Sequence, residues 1–301
     1  YIVTKNYLFT VVLCVLSLFT SCNDDKDDSS SVYVGDSLKL TLSGTTLSGK
    51  AVATDNTTIT LNNVIPGEAE LTLPITYTAD GFIGKVKNEY REVEVDATVR
   101  DGVAEVKVNL TEINPLGGNT FVTNAQSLRL DFATPKEKIT FMGTDYDAKM
   151  LPVLVESQVS PMLSQLLKGI RFGADGVIVV EFIKEGGTHL TLGGYAFYNV
   201  VDDKIFVSLN MPAILSKSNI NPLESIVSML GGVGIPFDLS IKGNDASFTL
   251  TRETLLPVVK LLPLLITLDL IPENYVTIVT EISTIIQEST KFDIHLDLVK
   301  K

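Results

Sequence analysis

The chain has 301 residues, a net charge of −12, two cysteines, two histidines and no tryptophan. That length buries a sizeable core and commonly divides into two domains, which excludes a mini-protein that needs staples. With 24 Lys and Arg against 36 Asp and Glu the composition excludes nucleic acid as a partner, and 45% hydrophobic residues exclude a disordered chain.

At the start, Lys5 precedes an apolar run over residues 7–18, and Phe19, Thr20, Ser21 and Cys22 follow it. A charged start, a short apolar segment and small residues make a secretory signal, since a spanning helix needs about 20 apolar residues. Residues 1–21 are expected to be a lipoprotein signal peptide, and residues 22–31 an acidic, serine-bearing tether. Leu18-Phe19-Thr20-Ser21-Cys22 resembles a bacterial lipobox, which implies that Cys22 is acylated and anchors the chain to a membrane. Asp24, Asp25, Lys26, Asp27 and Asp28 resemble the export signal of Bacteroidetes surface lipoproteins, which implies an outer-membrane protein facing the cell exterior. On composition alone the same segment is a flexible, charged linker. Cys14 falls in the discarded run, so the folded part is expected to hold neither a disulfide nor a thiolate metal site.

Residues 32–113 alternate apolar and polar side chains. The pattern is strict at 37–42, 58–61, 70–73, 92–95 and 103–110, with turn signals at Ser43-Gly44, Asp55-Asn56, Pro66-Gly67, Asp80-Gly81 and Asp101-Gly102. Period two with one wet face predicts antiparallel sheet, and six or seven short strands predict a small β-sandwich or barrel. Residues 114–120 cluster Pro, Gly and Asn and read as a linker.

Residues 121–301 predict an α+β domain, mostly antiparallel sheet with helical insertions, and the whole chain is expected to be α+β with β dominant. Strands are expected at 127–132 and 138–141, then an amphipathic helix over 147–168 that Pro161 kinks or divides. Further strands are expected at 170–172, 177–182, 188–192, 194–200 and 204–209. Asn221-Pro222-Leu223-Glu224 carries an N-cap, a first-turn proline and an N3 glutamate, predicting a helix to about Leu230. Strands at 236–241 and 246–250 follow. Thr251 then caps an apolar helix to Leu270, Pro272-Glu273 restarts another to about Gln287, and 291–299 forms the last strand. Lys260 and Asp269 argue against a membrane span over 255–271, at about 2.5–3.5 kcal/mol each in hydrocarbon. Those helices either fill a core or line a pocket for an apolar ligand such as a lipid.

His189 and His295 sit in strand patterns as sheet-face residues, and the chain contains neither an HExxH zinc pattern nor a G-x-S-x-G elbow. No catalytic residue, metal ligand or cofactor is assigned. A hydrolase would need two close carboxylates or a histidine dyad, which spacing alone does not identify. Aromatic rings are the remaining hint, because sugars stack on exposed rings. Tyr77 and Tyr90 in the first domain, with Tyr195 and Tyr198 in the second, are the candidate ligand-binding residues, accompanied by Phe82 and Phe197. Strand alternation assigns about half of these to the core.

The run Tyr33-Val34-Gly35-Asp36-Ser37-Leu38-Lys39-Leu40, the run from Thr58 to Glu68, and Ile170-Arg171-Phe172-Gly173-Ala174-Asp175-Gly176-Val177 resemble a Bacteroidetes lipoprotein family known as a domain of unknown function. The resemblance implies an exported two-part fold and brings no catalytic residues. The reading that follows is a lipid-anchored surface lipoprotein that binds a glycan or an envelope partner without catalysis. An apolar-ligand carrier is the alternative.

Overall fold

The computed structural model describes residues 30–141, 143–183, 187–210, 213–214, 233–267 and 273–301. The segment expected to be a lipobox, the acidic segment through Asp28 and the helix expected over 221–230 lie outside the described residues. The fold is α+β and dominated by antiparallel sheet. An N-terminal sheet curls into a half-barrel, and a closed β-barrel with helical insertions follows it.

The alternating segments build the nine strands of the first sheet: β1 (Ser31–Val34), β2 (Leu38–Leu42), β3 (Thr45–Leu47), β4 (Ala51–Thr54), β5 (Thr58–Asn62), β6 (Glu70–Tyr77), β7 (Gly81–Lys87), β8 (Arg91–Arg100) and β9 (Val103–Glu112). Their order is β1-β4-β5-β6-β7-β8-β9-β2-β3. One short 3-10 turn, Gly35–Ser37, separates β1 from β2, yet β1 pairs with β4 and β2 pairs in parallel with β9 at the other end. The sheet must therefore curl until its ends approach. Curling brings Leu40, Val52, Leu73, Val95 and Val106 into one core, each such side chain contributing about 1.5–3 kcal/mol on burial. The nine strands exceed the six or seven expected. The additional ones are short, or, like β7, carry Gly81 and Gly84 where a side chain would mark the period.

The second sheet contains β10 (Asn119–Val122), β11 (Leu128–Ala133), β14 (Leu167–Phe172), β15 (Val177–Ile183), β16 (His189–Val201), β17 (Lys204–Leu209), β18 (Ile235–Lys242), β19 (Asp245–Leu250) and β20 (Lys291–Lys300). A separate hairpin joins β12 (Lys138–Phe141) to β13 (Thr144–Asp147). Closure runs through β10 and β11, which lie end to end along one edge of β20. Phe121 and Val122 pair with Lys300 and Val299, while Leu128 pairs with Leu296 and Ala133 with Lys291. β10 also pairs with β14, which completes the ring. Phe172 stands at the centre of the barrel core, stacked on Phe248 at 5.5 Å and edge-on to Tyr198 at 5.2 Å.

Two expected strands, 188–192 and 194–200, are one. β16 carries a bulge where Ile178 pairs with Ala196 but Val179 pairs with Gly193, and Gly194 takes φ +79° to make room for the additional residues. The segment read as a linker is packed: Leu116 is fully buried in the barrel core, and its last residues open β10.

The helix expected over 147–168 comprises α1 (Met150–Leu154), a π turn at Val155–Val159, and α2 (Ser160–Leu166). Pro161 has no N–H and crowds the carbonyl four residues back, and the ladder widens in the turn before it. α3 (Arg252–Thr267) starts where Thr251 Oγ1 accepts the Thr254 amide at 3.4 Å, and α4 (Glu273–Glu288) follows. Val259 on α3 and Ile285 and Ile286 on α4 bury against Leu130, Leu151 and Phe292, forming a third core beside β11 and the start of β20. No helix among the described residues is long and apolar enough to cross a membrane.

Candidate functional site

An open groove lies on the outer face of the half-barrel where β6 changes partners. Glu70 to Pro74 pair with β5, and Ile75 to Tyr77 pair with β7. Pro74 donates no amide, so the first ladder ends there and the strand turns the corner. Gly84 admits the approach, because a Cβ at that position would lie 3.0 Å from the Pro74 carbonyl. The resulting groove encloses about 580 Å³ and is lined by Thr76, Ile83, Lys85, Glu94, Asp96 and Asn109.

The strand period places these side chains on one face. Ile83 is opposite Asp96, Lys85 opposite Glu94, and Asn109 beside Glu94 across the next ladder. Lys85 Nζ donates to Glu92 and to Glu94, each at 2.7 Å, and those bonds raise its pKa while lowering that of Glu92. The ammonium is thus already neutralised by carboxylates. What faces an incoming molecule is a row of acceptors at Glu94 and Asp96, an amide at Asn109, a hydroxyl at Thr76, and the half-exposed apolar Ile83. Such a surface suits a hydroxylated ring with one apolar face better than an anion.

The four tyrosines singled out from sequence do not form one platform. Tyr77 is 55% exposed, edge-on to Phe82 at 6.1 Å, and its hydroxyl donates to the Asp55 carbonyl at 3.0 Å. Tyr90 lies beyond the opposite end of β7, roughly 20 Å away along a strand of that length. Its hydroxyl contacts Asp202 Oδ1 at 3.1 Å, and that bond pushes its pKa up to about 12. Tyr195 is half-buried in β16. Tyr198 is a correction: it has no exposed surface, donates to the Gly173 carbonyl at 2.8 Å, and belongs to the barrel core with its pKa raised by burial. Phe82 and Phe197 are buried as well. Cys22, Asp24, Asp25, Lys26, Asp27 and Asp28 lie outside the described residues.

His295 has the polar phase of β20 expected of it, and the sheet gives it neighbours the sequence could not name. Its Nδ1 is 2.9 Å from Thr249 Oγ1, and its Nε2 is 3.5 Å from Asp131 Oδ2, which also accepts from Lys291 at 2.7 Å. The Lys291 bond holds Asp131 below the usual carboxylate range. This seam ties β11, β19 and β20 together on the outside of the barrel. Among the described residues no group of three or more His, Cys, Asp or Glu side chains has the arrangement of a metal site.

The junction of the half-barrel and the barrel holds the buried charges that sequence reading missed. Arg91 and Glu112 are cross-strand partners at the ends of β8 and β9, 3% and 5% exposed. Arg91 Nη2 pairs with Glu68, and Arg91 Nη1 donates to Asn199 Oδ1 at 3.1 Å. Asn199 in turn donates to the Pro66 carbonyl at 2.7 Å. Asn114 Nδ2 donates to Glu112 Oε2. Main-chain bonds also cross the junction, with Glu112 N to Ala174 O at 2.7 Å, alongside Ser43 Oγ to Asp175 O at 2.6 Å. The signal was present in the pattern. Arg91 shares the inward phase of Val93, Val95 and Ala97, and Glu112 that of Val106, Val108 and Leu110, so each is a charge at a core position.

Comparison of the chain with models of protein families, with curated proteins and with solved structures found no match.

Proposed function

We propose that this protein is a lipid-anchored surface lipoprotein of the outer membrane that binds a glycan or glycan-bearing envelope partner and carries out no chemistry on it. The groove at the β6 corner carries this reading: acceptors at Glu94 and Asp96, the Asn109 amide and the apolar Ile83 converge on one open surface of about 580 Å³. Sugars present hydroxyls that donate to carboxylates and C–H faces that cover an aliphatic side chain, so both halves of the surface are used. The ammonium of Lys85 is occupied by Glu92 and Glu94, which favours neutral over acidic glycans.

The N-terminal segment supports the anchoring half of the reading. Acylation at Cys22 would leave nine residues before β1 begins at Ser31, a reach of at most about 30 Å from the bilayer at about 3.3–3.6 Å per residue. Acyl chains contribute about 0.8 kcal/mol per buried methylene, and two or more of them anchor stably.

The test is a screen of the purified protein against immobilised neutral and acidic polysaccharides, followed by calorimetric titration. Binding to a neutral glycan that weakens at least about tenfold in Asp96→Ala and Asn109→Ala, with unchanged Tm, is the expected result. Tenfold corresponds to about 1.4 kcal/mol, the loss of one or two hydrogen bonds. Binding that is indifferent to both substitutions, or no binding to any glycan, refutes the assignment of the groove. Palmitate labelling that persists in Cys22→Ala refutes the anchor.

A further inference from the structure

The cluster at the barrel junction has a feature that packing alone does not explain. Arg91 Nε and Glu112 Oε1 are both buried, both without a hydrogen-bond partner, and belong to side chains facing each other across the β8–β9 ladder. One cation there faces two carboxylates, since Arg91 is already paired with Glu68. An ionised Glu112 would add a second negative charge beside a guanidinium already shared with Glu68, at a carboxyl that is itself 5% exposed, and desolvating that charge is costly.

We infer that the proton on Glu112 is an interlock between the half-barrel and the barrel: with the carboxyl neutral the junction is closed, and ionising it drives the two units apart.

The groups that face Glu112 come from every element around it. Arg91 lies across the ladder on β8, and Glu68 approaches from the connection before β6. Asn114 contacts the carboxyl from the connection after β9, and β16 brings the Val200 amide, Asn199 and the Tyr198 ring. Asp175, Tyr90 with Asp202, and Glu89 stand farther out and add only negative charge or neutral hydroxyls. Burial pushes the Glu112 carboxyl up to about 8, and Arg91 and the Val200 amide only partly oppose this. Burial likewise lowers the pKa of Arg91. The folded chain therefore holds a proton that the unfolded chain releases near 4.5, so the stabilisation is complete below that value and is lost as pH rises toward 8.

The same groups are the mechanical link. The Glu112 amide donates to Ala174 O on the barrel, and the Arg91–Asn199–Pro66 chain crosses from β8 to β16 and back. Gly67 fits against Phe206 so closely that a Cβ would lie 2.7 Å from its ring, so little displacement is tolerated before contacts are lost. A charge at Glu112 draws water toward the junction, and solvating it competes with these contacts.

Three measurements on the intact protein test the inference. Carboxyl carbon NMR of glutamate-labelled protein should show one glutamate titrating near pH 8, absent in Glu112→Gln; titration of every glutamate below about 5 overturns it. Melting of the wild type should lose several degrees between pH 6 and pH 9 while Glu112→Gln stays level, and parallel profiles overturn it. Protease cleavage within 113–118, normalised to a peptide of the same sequence, should rise at least about tenfold over that range in the wild type, and an unchanged rate shows titration without opening and overturns the interlock. If Glu112→Gln does not fold, the wild-type titration and cleavage still decide.

Discussion

Replacing Gly176 with alanine tests whether the half-barrel and the barrel are one packed unit. Gly176 closes the β14–β15 turn at φ +75°, and its carbonyl accepts the Tyr198 amide at 2.8 Å. A Cβ there would lie 2.5 Å from Leu110 Cδ2, in the half-barrel core, and 3.1 Å from the Tyr198 carbonyl. The left-handed backbone costs an alanine about 1–2 kcal/mol, and forcing Leu110 aside adds about 1–3 kcal/mol of overpacking. Gly176→Ala should therefore lose about 2–5 kcal/mol. Gly102 supplies the control, since it has φ +76° in the β8–β9 turn and nothing within 4 Å of its Cβ position. Gly102→Ala should lose only the backbone cost of about 1–2 kcal/mol. Urea unfolding of both variants, at equal m-value, reads the difference. In a Leu110→Ala background the additional cost at Gly176 should shrink by at least about 1 kcal/mol, because the clashing methyl is gone. Equal losses at Gly176 and Gly102, or no coupling to Leu110, would refute the packing of the two units against each other.

Two further predictions concern local devices. The Asp55 carboxylate accepts the amides of Thr57 and Thr58, both at 2.6 Å, and these bonds lower its pKa to about 2. Its contribution to the β4–β5 turn is complete above pH 4 and is lost as pH falls toward 2, so Asp55→Asn should flatten the Tm profile over that window; an unchanged slope would count against it. Arg252 at the start of α3 donates from Nε to the Ile286 carbonyl at 3.0 Å and from Nη2 to the Gln287 carbonyl at 3.0 Å, closing the open end of α4. Arg252→Ala should cost about 1–3 kcal/mol and raise amide exchange in the last turn of α4, and protection there equal to wild type would contradict the capping role.

Much of the strand content was legible because half-buried antiparallel strands repeat every two residues. β2, β5, β8 and β9 alternate without a break and were readable, whereas Ala51-Val52-Ala53-Thr54 offers little polar contrast and β7 hides its period behind glycines. The break expected between 188–192 and 194–200 is a bulge within one strand, which the paired glycines Gly193 and Gly194 permit. The tyrosines illustrate the limit for sites. Tyr195 and Tyr198 are three residues apart on one strand, and which faces a core depends on what packs on either side of that strand.

Sequence by itself determined the class of the fold, the turns at positions such as Asp101-Gly102, and the restart of the last helix at Glu273, because period, caps and positive-φ residues act over a few neighbours. Tertiary structure decided the curl of the first sheet, the closure of the second through β10 on β20, and the corner of β6 that makes a groove. It also decided that Arg91, Glu112, Asn199 and Glu68 meet. Those outcomes depend on which distant strand pairs with which, and on the burial that the half-barrel and the barrel impose on each other, and neither is a local property of the chain.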